Sequence, residues 1–500
     1  MAVALAGLVV LLALVPLAFV AASTVSTGWD EARRLLLRPR VGELLANTVR
    51  LVLGAVTASA VIGTAAAWLV ERTDLPARRV WTALLGAPLA VPAFVNSYGW
   101  VSLTPRVEGY GGAVLICTLS YFPLVFLPVA ATLRGLDPAL EETAASLGLG
   151  RWRVLRRVVL PQLRPALLGG SLLVSLHLLA EFGALQMLRF PTFTTAIYDQ
   201  YRSSFNGPAA TALAAVLVLL CLLLLVGEQR ARGDRRLARV GSGATRATVR
   251  HRLHRWTTPA LAAATALGVL SLGVPVASLG FWLLTGSPTS FPVAALASAT
   301  AMTLGLAAGA AAVTVLAALP VAYLAVRYPR LATVLLERGT YTANALPGIV
   351  VALALVTVAI RWVQPAYQSA GLLVMAYVIM FLPRGVVSAR AALAQAPPLL
   401  DDVSASLGTS SLQTFRRVTL PLIAPGLASG AALVFIAAST ELTATLLLSP
   451  IGTRTLATAF WSSSSSVAYG EAAPYAALMI LVSIPATYLL TRQARRFARA

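Results

Sequence analysis

The chain has 500 residues, 58% of them hydrophobic and only 11% charged, with a formal net charge of +21. A soluble core cannot bury so much apolar side chain. Repeated apolar runs of about 18 residues or more are long enough to cross a bilayer as helices, so a soluble fold is excluded and an all-α polytopic membrane protein is expected. All 39 basic residues are arginines and lie mostly between the apolar runs. Positive-inside topology accounts for them, and without an aromatic-laced basic domain no nucleic-acid partner is expected.

Residues 2–22 form an uncharged apolar run. A cleaved signal peptide competes here with a retained first span. Small residues around Ala21–Ser23 favour cleavage, whereas the missing positive flank and the length of the run favour retention. The stretch TGWDEARRLLLRPRVGELLANT reads as an amphipathic interfacial helix, its Arg33, Arg34, Arg38 and Arg40 partly balanced by Asp30, Glu31 and Glu43. Further spans are expected at Asn47–Val70, Val80–Val101, Ala113–Leu133, Leu163–Ala180 and Ala209–Val226. Pro92 lies inside the third span, and Phe94, Tyr98 and Trp100 suit an aromatic belt at the membrane surface or, alternatively, an outer plug. Cys117 and Cys221 fall within apolar runs, which suits small core residues better than a disulfide.

From Glu228 to Trp256 nine arginines stand against one Glu and one Asp. This is a basic cytoplasmic linker, with attraction to anionic lipid heads as a second reading. His251 and His254 share it without any metal-ligand spacing. The expected division is a first transmembrane domain over 1–228, the linker over 229–256 and a second transmembrane domain over 257–500. Spans in the latter lie near 259–284, 293–326, 331–360, 369–388, 422–439 and 475–491.

The two halves repeat one another. LEETAASLGLGRWRVLRRVVLPQLRPAL at 140–167 and LDDVSASLGTSSLQTFRRVTLPLIAPGL at 400–427 share 12 of 28 positions at an offset of 260. NTVRLVLG…AAAWLVER from Asn47 parallels MTLGLAAG…PVAYLAVR from Met302 at an offset of 255. Six spans plus six in a parallel repeat place both polar islands on one side, and arginines in the linker and tail make that side cytoplasmic. Each island reads as a helical hairpin, over 137–161 and 397–421. Asp137-Pro138 and Pro397-Pro398 start its first helix, and Gly148 or Gly408 ends it in the left-handed conformation. Leu160-Pro161 or Leu420-Pro421 is expected to break the second helix and restart the chain into the membrane. An ordinary hairpin explains these turn residues singly, but not their recurrence at one spacing.

At this point the sequence resembles a known family. ETAASLG…LP and DVSASLG…LP look like the EAA loop of permease subunits in binding-protein-dependent ABC importers of the type I fold. AEFGALQML…FPTFTTAIY at 180–198, LPGIV at 346–350 and STELTATLLLSPIGTRTLATAFW at 439–461 resemble the fused two-half permeases of iron(III) importers, with thiamine and phosphonate permeases as neighbours. The resemblance implies a bacterial plasma-membrane protein, an external substrate-binding protein and two cytoplasmic ABC ATPase subunits. It places Glu142 and Asp402 at the acidic positions of the loops, Ala144 and Ser404 at the small positions, Gly148 and Gly408 at the turns, and Leu160, Pro161, Leu420 and Pro421 at the re-entry points. Asp402 is a shorter acid than the family's glutamate, so the two docking sites are expected to be unequal.

The chain contains no lysine, so it cannot supply the phosphate-binding lysine of a Walker loop, and no cofactor is expected. Glu181 and Glu441 each lie 33 residues beyond a loop glycine (148 + 33 and 408 + 33), at equivalent points of spans five and eleven. Either they line a route for a hard cation such as iron(III), as transient ligands, or they cap broken helices or pair with an arginine. Pro92, Pro347 and Gly348 would break spans at matched depths along the same route. A secondary transporter would need more intramembrane acids than these two and leaves the loops unexplained. An intramembrane enzyme finds no catalytic constellation.

Overall fold

The computed structural model describes residues 2–27, 29–204, 206–232, 250–285, 291–343 and 346–497. Most of the linker, 233–249, lies outside them. Among the described residues the fold is helical throughout, apart from one isolated bridge between Thr73 and His251. Among the described residues nine helices are long and apolar enough to cross a membrane, or ten if one bent pair is counted as a span. The twelve expected stretches lie largely on helix where they are described, but fewer than twelve qualify as spans, and three depart from the expectation.

The expected third span is broken between Arg78–Ala90 and Ala93–Val101, which meet at 92°. Pro92 occupies the break as N-cap of the second piece, in an extended conformation (φ −56°, ψ 142°). The expected ninth span divides into Leu331–Thr342 and Gly348–Trp362, with Pro347 (φ −58°, ψ 146°) in the same role. Proline lacks the N–H that would continue a helix through it, and both breaks follow from that. The last stretch runs within the single helix Tyr469–Phe497, whose described apolar part is Tyr469–Ile484. The interfacial helix is shorter than expected. It covers Trp29–Leu36, and Pro39 then opens a 34-residue helix, Pro39–Arg72, continuous with the second span.

The chain folds as two compact units that interleave along the sequence. One comprises Pro39–Ala196 and Leu219–Phe281; the other comprises Met1–Arg38, Ile197–Val218 and Trp282–Ala500. In the first, Leu51, Ala55, Ala67 and Val70 pack with Ile116, Phe122, Phe126 and Val129 and with Leu163 and Val174. Phe94 and Tyr98 are buried in this unit, so they form no belt at the membrane surface. In the second unit Ala318, Val321 and Ala322 pack with Leu382, Val386, Ala389, Ile423 and Leu427. Ala6 and Ala13 of the helix Ala2–Thr27 join that core. Leucines such as Leu11, Leu53, Leu223 and Leu316 stay exposed along the helices, as a lipid-facing surface requires. Cys117 and Cys221 are both buried free thiols.

Candidate functional site

Each polar island folds as a helical hairpin, and the element bounds of the two copies match. The first leg is Pro138–Ser146 or Pro398–Ser406. Asp137 caps the first copy, its carboxylate accepting from Ala139 N–H at 3.0 Å, and Pro138 and Pro398 occupy the first helical position. Gly148 and Gly408 follow with φ of +81° and +80°. Their N–H groups bond Ala145 O and Ala405 O, and those of Leu149 and Thr409 bond Ala144 O and Ser404 O. This pair of bonds closes a helix through a left-handed residue, where glycine has no Cβ penalty. Ala144 and Ser404 are buried between the legs, while Glu142 and Asp402 are exposed.

The second leg corrects the sequence reading. Leu160-Pro161 and Leu420-Pro421 do not break the chain: Arg151–Ala180 and Ser411–Ser439 are each one helix running from the hairpin into the membrane. A single π turn precedes each proline, Leu155–Val159 or Phe415–Thr419. There Leu160 N–H bonds Leu155 O and Leu420 N–H bonds Phe415 O, five residues back. The wider turn accommodates a ring that has no N–H to give and would otherwise crowd the carbonyl four residues earlier. Leu160, Pro161 and Pro421 are exposed and Leu420 is partly buried.

The acids that turn inward are the neighbours of those expected to matter. Glu141 pairs with Arg72 (2.8 Å) and Asp401 with Arg327 (3.1 Å). Both arginines end long helices, Pro39–Arg72 and Val293–Arg327, and their side chains are 3% and 9% exposed. Their signal was present in the sequence, because they close the two segments matched at offset 255 (72 + 255 = 327). The hairpins also differ. Ser404 joins Thr409 (2.6 Å) and Thr414 (3.0 Å) in a hydroxyl network that the apolar Ala144 cannot make.

Glu181 and Glu441 occupy matching helix breaks. Leu160–Ala180 ends before Glu181, whose Oε1 accepts Ala184 N–H at 2.9 Å at the start of the short helix Gly183–Met187. Glu441 Oε1 likewise accepts Ala444 N–H at 3.0 Å as Thr443–Leu448 begins. Thr194 Oγ1 donates to Glu181 O (2.6 Å) and Thr445 Oγ1 to Glu441 O (2.7 Å). The capping reading of these acids is therefore a structural fact. Tyr121 O–H donates to Glu181 Oε2. Around Glu441 the arrangement differs: Arg384 lies within its electrostatic reach and over the Phe381 ring at 5.1 Å. A Cβ at Gly348 would stand 3.0 Å from Glu441 Oε1 and 2.7 Å from Met380 Cε, so a larger residue there would displace the ends of both side chains. Among the described residues no group of three potential metal ligands forms.

A helical membrane body carrying this hairpin twice defines a permease subunit, a transport protein rather than an enzyme. The chain belongs to the family described as binding-protein-dependent transport system inner membrane component, which matches residues 59–231 and 314–499. The two matches begin 255 residues apart (314 − 59), the offset already found between the early spans. The chain is 37% identical over 482 residues to the Fe(3+)-transport system permease protein FbpB 2 of Haemophilus influenzae, covering 96% of this chain and 95% of that protein. It is 25% identical to the ferric transport system permease protein FbpB of Actinobacillus pleuropneumoniae over 80% of this chain and 61% of the relative. The sulfate transport system permease protein CysT of Escherichia coli is 30% identical over 237 residues, 43% of this chain and 86% of its own length.

Proposed function

We propose that this chain forms the translocation path of an iron(III) importer in a bacterial plasma membrane, working with an external binding protein and two cytoplasmic ATPase subunits. The duplicated hairpin is the observation that carries the reading. Two exposed acid-bearing first legs of one shape offer two docking sites, and the second leg of each hairpin continues without a break into a membrane helix. Glu142, Ala144, Gly148, Leu160 and Pro161 form the first coupling site, and Asp402, Ser404, Gly408, Leu420 and Pro421 the second. ATP hydrolysis belongs to the partners, because the chain has no lysine to hold a terminal phosphate. Iron(III) as cargo rests on the full-length likeness to a permease of that description.

The route is assigned to Glu181, Glu441, Pro92, Pro347 and Gly348. Half-buried carboxylates beside irregular backbone are tolerated at membrane depth where they line a cavity. The carboxylates serve as transient ligands for a hard trivalent cation, and no resident metal is invoked. Arg384, on the membrane helix Ala370–Gln395 and within electrostatic reach of Glu441, supports a second cargo, a phosphonate or another oxyanion, since a fixed positive charge suits an anionic solute. Uptake of radiolabelled iron(III) by the purified complex in proteoliposomes, with ATP and loaded binding protein, tests the proposal. ATP-driven uptake of iron(III) supports it. Uptake of an oxyanion alone would replace the cargo, and transport by this chain without the ATPase would sink the proposal.

A further inference from the structure

We infer that Arg72 and Arg327 are positioning residues that fasten the two coupling hairpins to the ends of the long helices Pro39–Arg72 and Val293–Arg327, so that hairpin displacement reaches those helices directly. The inference rests on the reading that the hairpins dock with ATPase subunits.

Each hairpin is covalently continuous with only two membrane helices, the one before its first leg and the one its second leg enters. The helices ending at Arg72 and Arg327 are not among them, and the ion pairs supply the missing connection. Arg72 Nη2 lies 2.8 Å from Glu141 Oε1 with the guanidinium group 5.9 Å from the Trp68 ring centre. Arg327 Nη2 lies 3.1 Å from Asp401 Oδ2 and also donates to Ala396 O at 3.1 Å, just before the hairpin's first leg. Asp401 in turn accepts from Thr419 Oγ1 at 2.9 Å, inside the π turn of the second leg. Arg327 thus joins the end of a long helix to both legs of its hairpin.

Burial separates these contacts from surface ion pairs. Arg40–Glu43 has side chains 58% and 51% exposed, whereas Arg72 and Glu141 are 3% and 20% exposed and Arg327 and Asp401 9% and 25%. Exposed pairs contribute little, but removing one partner of a desolvated pair leaves an uncompensated charge. The Arg327 guanidinium is held in direction as well as distance, because it also donates to Ala396 O. The adjacent acids divide the work: Glu141 and Asp401 face their own chain, and Glu142 and Asp402 face outward. The pairing recurs at the repeat offsets, 72 with 327 and 141 with 401, although the surrounding residues differ.

The test uses the full complex with its ATPase subunits and binding protein in proteoliposomes. Arg72→Met with Arg327→Met is expected to keep ATPase co-purification and basal hydrolysis while solute moved per ATP falls about tenfold. Arg72→Lys with Arg327→Lys, which keeps the charge, recovers part of that loss. If the methionine variant does not accumulate, Glu141→Gln with Asp401→Asn removes the same pairs from the hairpin side and carries the same expectation. Wild-type solute per ATP in a variant lacking the pairs would overturn the inference. Loss of ATPase co-purification would do so too, because the arginines would then only hold the hairpin's shape. Failure of the unaltered complex to take up solute with ATP would instead count against the docking reading itself.

Discussion

The Tyr377 and Thr445 hydroxyls lie 2.6 Å apart, and Thr445 spends its single proton on the Glu441 carbonyl at 2.7 Å. Tyr377 must therefore be the donor, which orients a chain from tyrosine to threonine to the broken backbone beside Glu441. Thr194 serves the Glu181 carbonyl in the same way at 2.6 Å, and the tyrosine there, Tyr121, reaches the carboxylate directly. Both breaks thus have satisfied backbone, which membrane depth demands.

This arrangement makes charge separable from structure at Glu181 and Glu441. Glutamine keeps an oxygen for the N–H of Ala184 or Ala444 but loses the charge. Glu181→Gln with Glu441→Gln should therefore leave protein amount and thermal stability unchanged while slowing iron(III) uptake several-fold. Alanine at either position removes the cap and should cost about 1 kcal/mol of stability in a melting experiment. Unchanged uptake in the glutamine pair would leave the acids a purely structural role.

The helical spans, the repeat and the hairpins were legible because apolar length, turn residues and repeat offsets are local patterns, whereas the count of twelve spans was not, since prolines divide two of the stretches. What was missed depended on long-range contact. Arg72 meets Glu141 across 69 positions (141 − 72) and Arg327 meets Asp401 across 74 (401 − 327), and no local rule says which of two adjacent acids turns inward. Pro161 read as a breaker because proline usually is one; the π turn that absorbs it has no residue signature. Arg384 was visible in FLPRG, within an apolar run, but its repeat counterpart at offset 260 is Leu124. Comparing the halves, which exposed the hairpins, concealed the residue that differs between them.

Arg384 persists in a membrane helix against an insertion cost on the order of 3 kcal/mol. Arg384→Met removes that cost but leaves Glu441 without the positive charge within its reach, so the thermal stability of the complex should change little. Uptake should nevertheless fall several-fold, because Glu441 loses its balancing positive charge and holds a cation too long. Arg384→Lys should recover part of the rate. Unaltered uptake would make the arginine a packing partner of Phe381 and nothing more.

At Gly148 and Gly408 a Cβ would meet nothing within 4 Å in this chain, so the constraint inside the protein is the positive φ alone. A non-glycine residue there costs about 1–2 kcal/mol, and asparagine pays least. Gly148→Leu and Gly408→Leu should lose transport and ATPase coupling. Gly148→Leu should be the more damaging, because the Ser404–Thr409–Thr414 network braces the second hairpin. Gly148→Asn distinguishes the causes: recovery of transport assigns the glycine to backbone conformation, and failure assigns it to close approach by the ATPase. Transport intact in both leucine variants, with the ATPase retained at wild-type levels, would refute the coupling role of the turns.

The π turns at Leu155–Val159 and Phe415–Thr419 carry the last prediction. An extra residue in one turn rotates everything N-terminal to it by about 100° relative to an uninterrupted α-helix, and so sets the direction in which each hairpin leaves its membrane helix. Pro161 and Pro421 hold that turn open, since restoring an N–H allows the ordinary bond four residues back to form. Pro161→Ala with Pro421→Ala should thus strengthen the helices, seen as slower amide exchange across 155–162 and 415–422, while misdirecting the hairpins. Solute moved per ATP should fall, with the chain present in normal amount. If exchange slows and transport stays intact, hairpin direction does not depend on the π turns; if exchange does not slow, the prolines are not what maintains them.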